Sequence, residues 1–186
     1  MAINVKKLLA DALIELSDEK PLSKITVCDI VTRAGTGRQT FYNHFKDKND
    51  LIYWIFCKTL GGERTIMNTS GCFAYLSHLY SEAQHNRNFF RQACAMDGQN
   101  SLSEAIYNQT YTYYKNYIIN NYGKSTIDDN LEFSLQYNAH GASNMYISWA
   151  LAGMPGTGEQ QAMQALHCMP ADIKQYLPLN QTQLAC

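Results

Sequence analysis

Arg38, Gln39 and Asn43 fall within one short stretch of this 186-residue chain, and they are residue types that read base edges. In the major groove an Arg bonds guanine bidentately, and Gln or Asn does the same with adenine. Around them stand Thr26, Thr36, Tyr42, His44 and Lys48, with Thr40 inside the same run, supplying the hydroxyls and cationic groups that hold phosphates. The combination describes a surface for duplex DNA in which one helix reads while its surroundings clamp.

Such residues need elements to aim them, and the neighbouring sequence writes those elements locally. Thr26 is placed to cap a helix whose third residue, Asp29, answers it in a capping box, and Val27, Ile30, Val31 and Ala34 form an inward stripe. Gly35 permits the left-handed turn that stops this helix, and Thr36 is placed to cap the next. On that second helix Phe41 and Phe45 lie four residues apart and share a face, so they pack while the polar set points elsewhere. An earlier helix carries Val5, Leu8, Leu9, Ala12, Leu13 and Leu16 on one side.

The run Thr40-Phe41-Tyr42-Asn43-His44-Phe45-Lys46-Asp47-Lys48-Asn49-Asp50-Leu51 resembles the TetR family of transcriptional repressors, whose pattern is Thr-Phe-Tyr-x-His-Phe-x-x-Lys-x-x-Leu. The likeness is strong over roughly the first 60 residues and weak beyond them. Arg38 to Asn43, with Trp54-Ile55-Phe56 after it, is also similar to the branch containing regulators of dihydroxyacetone kinase operons. This resemblance implies an all-α protein: a three-helix, helix-turn-helix DNA-binding domain at 1–47 and a helical effector-binding and dimerisation domain at 48–186. It further implies a homodimer on a palindromic operator, a repressor released by a small-molecule ligand. The alternative of the same fold is an activator controlled by a protein effector.

Charge agrees with a DNA-facing N-terminus. The net charge is −1, yet Lys20 to Lys48 holds six Lys or Arg against two acids, and from Leu51 onward seven basic residues meet nine acidic ones. The six cysteines are dispersed without a Cys-x-x-Cys pair, which suits reduced thiols in a cytoplasmic protein. No apolar run approaches the ~18 residues that a membrane span needs. The chain has no Gly-x-Ser-x-Gly elbow, no Gly-Lys-Ser/Thr phosphate loop and no His-Glu-x-x-His, so neither an enzyme nor a bound cofactor is expected. His167 and Cys168 are adjacent on a helix and point about 100° apart, which argues against a metal pair.

Beyond residue 51 the rhythm is helical, with breaks at Gly61-Gly62, Ser70-Gly71, Asp97-Gly98, Tyr122-Gly123 and 153–158. A lever helix is expected from Asp47 or Lys48, and a central one over Ser101 to Tyr122 with two apolar faces. The helix from Asp128 to Gly153 is also two-faced: Leu131, Leu135, Ala142, Tyr146 and Trp149 stand opposite Phe133, Tyr137, His140, Asn144, Ile147 and Leu151. One face suits its own domain, the other a second subunit. A final helix is expected at Gly158 to Tyr176. For the small-molecule pocket that the family resemblance implies, Phe90, Cys94, Tyr107, Tyr111, Tyr137, His140 and Asn144 are the candidate lining. For any one tyrosine, a place in the core or an interface fits equally well.

Overall fold

The computed structural model of the chain describes residues 4–61, 64–96 and 102–179. Ten α-helices and no strand occur among them. Gly62, the Asp97-Gly98 break and Ser101 lie outside the described residues.

Helices α1 (Val5–Glu19), α2 (Val27–Arg33) and α3 (Arg38–Tyr42) form the N-terminal head, with a 3-10 turn at Leu22–Lys24 between the first two. Leu9, Ala12, Leu13 and Leu16 of α1 turn inward as expected onto Leu22, Ile25, Ile30, Val31, Phe41 and Phe45, whereas Leu8 stays exposed. The helix α4 (Lys48–Gly61) leaves the head and buries Leu51, Ile52, Ile55 and Phe56.

The body comprises α5 (Arg64–His85), α6 (Arg87–Cys94), α7 (Leu102–Tyr122), α8 (Asp129–Leu151), α9 (Gly158–Cys168) and α10 (Ala171–Lys174). Two helix pairs dominate, α5 on α9 and α7 on α8, while α4 lies against α7 and α6 fills the space between α8 and the head. Aromatic rings set the core: Phe56 meets Phe90 and Tyr146 edge to face, at centroid separations of 5.8 and 5.6 Å, and Tyr80 meets Trp149 at 5.1 Å. Edge-to-face contact aligns ring quadrupoles, so these pairs contribute beyond the area they bury.

Two breaks have local causes. Gly71, at φ 89°, kinks α5, and the Cys72 N–H beyond the kink donates to the Pro178 carbonyl at 3.2 Å. The single final helix expected over 158–176 is instead two, because Pro170 has no N–H to donate and its ring excludes a continuing turn. The α8 helix begins one residue after its cap, Asp128, whose carboxylate accepts from Leu131 N at 2.8 Å.

Where α9 begins, Gly158 is buried against α5, and an added Cβ would lie 2.8 Å from the Ser77 carbonyl oxygen and collide with Ser81. Backbone cannot step aside as a side-chain end can. Gly158→Ala should therefore destabilise the fold by about 1–3 kcal/mol, measured by denaturant titration; an unchanged midpoint would mean that α9 does not press on α5 this closely.

Candidate DNA-reading surface

The reading surface stands on buried rings. Phe41 and Phe45, 0% and 3% exposed, lie 5.8 Å apart between centroids and point into the head. With that side fixed, the other side of α3 must face solvent: Arg38, Gln39 and Tyr42 are exposed and Thr40 is half-buried, and the helix ends at Tyr42, so that Asn43 and His44, also exposed, and Phe45 stand in the turn after it. Gln39 Nε2 donates to Asn43 Oδ1 at 3.1 Å one turn on, which orients both amides while leaving donors and an acceptor for a base edge.

The capping box at the start of α2 closes as expected. Asp29 N donates to Thr26 Oγ1 at 3.2 Å, and the Asp29 carboxylate accepts from Thr26 N at 2.7 Å. Thr26 remains exposed beside it. Gly35 takes the left-handed conformation at φ 63°, and Thr36 N returns to the Val31 carbonyl at 2.9 Å.

Two assignments change. The cap of α3 is Gly37, not Thr36, and the Thr36 hydroxyl is enclosed without a hydrogen-bond partner. Lys48 is not a free phosphate clamp: its Nζ donates to the Leu22 and Ile25 carbonyls at 2.5 and 2.7 Å, and burial lowers its pKa. It ties the first turn of α4 to the far side of the head. The head's other cations divide similarly. Arg33 is held by Glu19 and Glu15, at 2.7 and 3.4 Å, and Lys20 by Asp29 at 3.0 Å. Lys24, Arg38 and Lys46 are exposed, with no ion pair to them among the described residues. Lys24 and Lys46 had no assigned role in the sequence reading, though both belong to its basic cluster.

Of the seven candidate pocket residues, Tyr107, Tyr111 and His140 stack in one row between α7 and α8, and Phe90, Cys94 and Tyr137 lie apart from that row. Phe90 is a core ring between Phe56 and Phe89, and Cys94 is half-buried, its thiol pushed up to about 12 by burial. Tyr107 stacks on His140 at 4.2 Å. Tyr111 is engaged in a closed polar knot, its hydroxyl bonded to Glu132 and to Lys115, with Lys115 and Glu132 paired at 2.8 Å. Tyr137 is 67% exposed on α8 against Phe133, and Asn144 donates to the His140 carbonyl on the same solvent side. The periodicity of α8 placed these residues on one face correctly, but that face looks outward. The core hydroxyl that sequence did not single out is Tyr146, which is 2% exposed, ringed by Phe56, Tyr80 and Trp149, and without a hydrogen-bond partner. Among the described residues no cluster of His, Cys, Asp or Glu has the makings of a metal site, and no helix is long and apolar enough to cross a membrane.

Comparison with known proteins covers both parts of the chain. Residues 9–53 match the family described as bacterial regulatory proteins, tetR family, and residues 72–169 match the transcriptional regulator C-terminal region of TetR proteins. Over 55 residues the chain is 38% identical to the HTH-type dhaKLM operon transcriptional activator DhaS of Lactococcus lactis, spanning 30% of this chain and 29% of that protein. Over 44 residues it is 48% identical to an HTH-type transcriptional regulator, YvdT, of Bacillus subtilis, spanning 24% of this chain and 23% of that one. The sequence matches thus span under a third of these curated relatives. Solved structures share the fold at greater length. A dihydroxyacetone kinase operon activator DhaS superposes with a TM-score of 0.69 at 23% identity, covering 93% of this chain and 98% of that one. A TetR transcriptional regulator from Rhodococcus sp. RHA1 gives 0.63 at 15% identity, covering 90% and 96%.

Acid should reach the head through Asp29. Hydrogen bonds from the Thr26 backbone, then the Thr26 hydroxyl and Lys20, lower its carboxyl from 3.8 to about 2. A carboxylate depressed on folding contributes stability that is full above its unfolded value and is lost as pH falls toward its folded one. Between about pH 4 and pH 2 the wild-type head should therefore lose stability through this group, and Asp29→Asn should flatten that part of the curve. Parallel acid titrations followed by circular dichroism check this; identical slopes would remove Asp29 from the acid response.

Proposed function

Because the chain belongs to the TetR family of bacterial transcriptional regulators, we propose that it acts as a homodimer that reads a palindromic operator through α3. The carrying observation is the division of α3 and the turn that follows it, with Phe41 wholly buried and Arg38, Gln39 and Tyr42 of the helix, and Asn43 and His44 just after it, all exposed. We place the boundary between the DNA-binding domain and the body after residue 47, just before α4 begins at Lys48. In this reading Arg38, Gln39 and Asn43 meet bases, and Thr26, Thr40, Tyr42 and His44 meet the backbone with Lys24 and Lys46.

Dimerisation is supported by the outward face of α8. Phe133, Tyr137 and Met145 are 68%, 67% and 69% exposed and, with Gly141 between them, line up at four-residue spacing; Leu151 extends the stripe at 44%. An outward face carrying these large apolar side chains beside His140 and Asn144 is costly to leave in water, and an isologous contact covers it on both copies at once. Gly141 at its middle lets two helices approach.

Regulation has two versions. In the first the protein is a repressor, released by a small molecule that favours a head spacing the operator does not fit; the partnerless Tyr146 hydroxyl supports a ligand in the body. The second is an activator working with a protein effector; the name of the Lactococcus lactis relative, a transcriptional activator, favours the sign of this version. Loss of the chain raises transcription from its operator in the first and lowers it in the second.

On DNA selected from random sequence by the wild-type protein, Arg38→Ala should weaken specific binding by about 1–3 kcal/mol and relax one base position. Lys46→Ala should weaken specific and random DNA alike and lower the salt slope by about one. Titration over a salt series reads both, and unchanged affinity in each would take α3 off the DNA. For assembly, sedimentation of the wild type at micromolar concentration should give a dimer, and Tyr137→Asp with Met145→Asp a monomer. A wild-type monomer that binds the palindrome undiminished would contradict the dimer.

A further inference from the structure

Several hydrogen bonds from body to head gather around one residue, Leu22. Leu22, 1% exposed, opens the 3-10 turn between α1 and α2, and both of its backbone polar groups are held by side chains from outside the head's three helices. Its N–H donates to Gln92 Oε1 of α6 at 2.6 Å, and its carbonyl accepts from Lys48 Nζ of α4 at 2.5 Å. The same Gln92 turns its Nε2 to the Ser17 carbonyl, at 3.0 Å. One turn earlier on α6, Asn88 Nδ2 donates to Asp18 Oδ1 at 2.7 Å.

The ends of α1 explain why a glutamine stands there. The last carbonyls of one helix and the first amides of the next helical turn lack partners within their own element. Ser17 and Leu22 carry such groups, and both are buried, where an unmet polar group costs about 1–3 kcal/mol. A carboxamide offers one donor and one acceptor in a plane, and only one orientation matches a carbonyl and an N–H side by side. Gln92 therefore caps α1 from another helix. It fixes an angle as well as a distance, because turning α6 against α1 breaks one bond or the other.

We propose that Gln92 is a positioning residue for DNA binding: its two-point clasp on Ser17 and Leu22 sets the angle of each reading head on the body, and so the spacing at which a dimer presents its two recognition helices. The proposal rests on the dimeric, operator-reading function above. Lys48 holds the carbonyl of the same residue, so a shift of α4 against α6 strains Leu22, five positions before α2 begins. A change in the body that moves α4 against α6 therefore reaches the heads at that residue.

Spacing selectivity is the readout that a purely structural glutamine would not move. From random duplex DNA the wild-type protein selects a palindrome, and its affinity is then compared with the same half-sites moved apart by one base pair, and with one half-site alone. Gln92→Leu, which removes both bonds at similar volume, should narrow the preference for the selected spacing by roughly five-fold or more, within the usual range of coupling between sites, while single half-site affinity stays unchanged. Gln92→Glu keeps the acceptor for Leu22 but sets an oxygen against the Ser17 carbonyl, and should show the same loss. If Gln92→Leu fails to fold by circular dichroism, Asn88→Ala, which removes only the exposed Asp18 bond, carries the comparison with a smaller change in the same direction. A folded, dimeric variant with a lower melting temperature and wild-type spacing preference overturns the proposal and leaves the operator reading standing. A wild-type protein that selects no sequence overturns both.

Discussion

A helix of five residues cannot hold itself. The first hydrogen-bonded turn costs more than it returns, and isolated helices below ~12–15 residues are marginal in water. The α3 helix is that short and has no side-chain cap. What keeps it in place is Phe41, wholly buried, with Phe45 beside it against Trp54 of α4, at 5.8 Å between centroids. From this anchor the rest follows. With the ring side fixed, the polar side has one direction left, and five side chains suited to bases and phosphates leave the head together. Gly35 and Gly37 set the corner through which α3 reaches the anchor, and the capping box holds the helix before it.

The anchor also explains how the charges are divided. A head whose every cation faced one way would repel itself; instead Arg33 and Lys20 are neutralised on the α1–α2 side by Glu15, Glu19 and Asp29, and Lys48 is turned inward onto carbonyls. Lys24, Arg38 and Lys46 are left outward. Six basic residues in the sequence thus become a smaller positive surface, with Arg38 at the start of the reading helix. Electrostatic attraction to phosphate is long-ranged and indifferent to sequence, so such a distribution steers the head without fixing its register. Register falls to α3 and to whatever holds the two heads apart.

Local features were legible in the sequence and long-range ones were not. The Thr26–Asp29 box, the Gly35 turn, the Phe41–Phe45 pair and the start of α4 rest on residues at most four apart, where spacing alone decides contact. Thr36 was misread because its side chain and Gly37 compete for the cap, and the extended backbone at Gly37 won. Lys48 was misread for a different reason: its acceptors lie 23 and 26 residues back, and no local pattern points to them. Pro170 was a visible stop that helical rhythm overrode. In the body, periodicity sorted α8 into two faces, but which face looks inward depends on α7 and α6, and Tyr137, His140 and Asn144 of the candidate pocket stand on the outer one. Gln92 carries no sequence signal at all, since its partners, Ser17 and Leu22, are backbone atoms.

The central claim is that two copies of α3 enter successive major grooves of one duplex. Guanine-methylation interference on a duplex selected by the protein tests it most directly. The account predicts two symmetric patches of interference, centred about one helical turn apart or a whole multiple of it, on the major-groove face and both present at a stoichiometry of two chains per duplex. A single patch, or no guanine whose methylation interferes in either half-site, would contradict it.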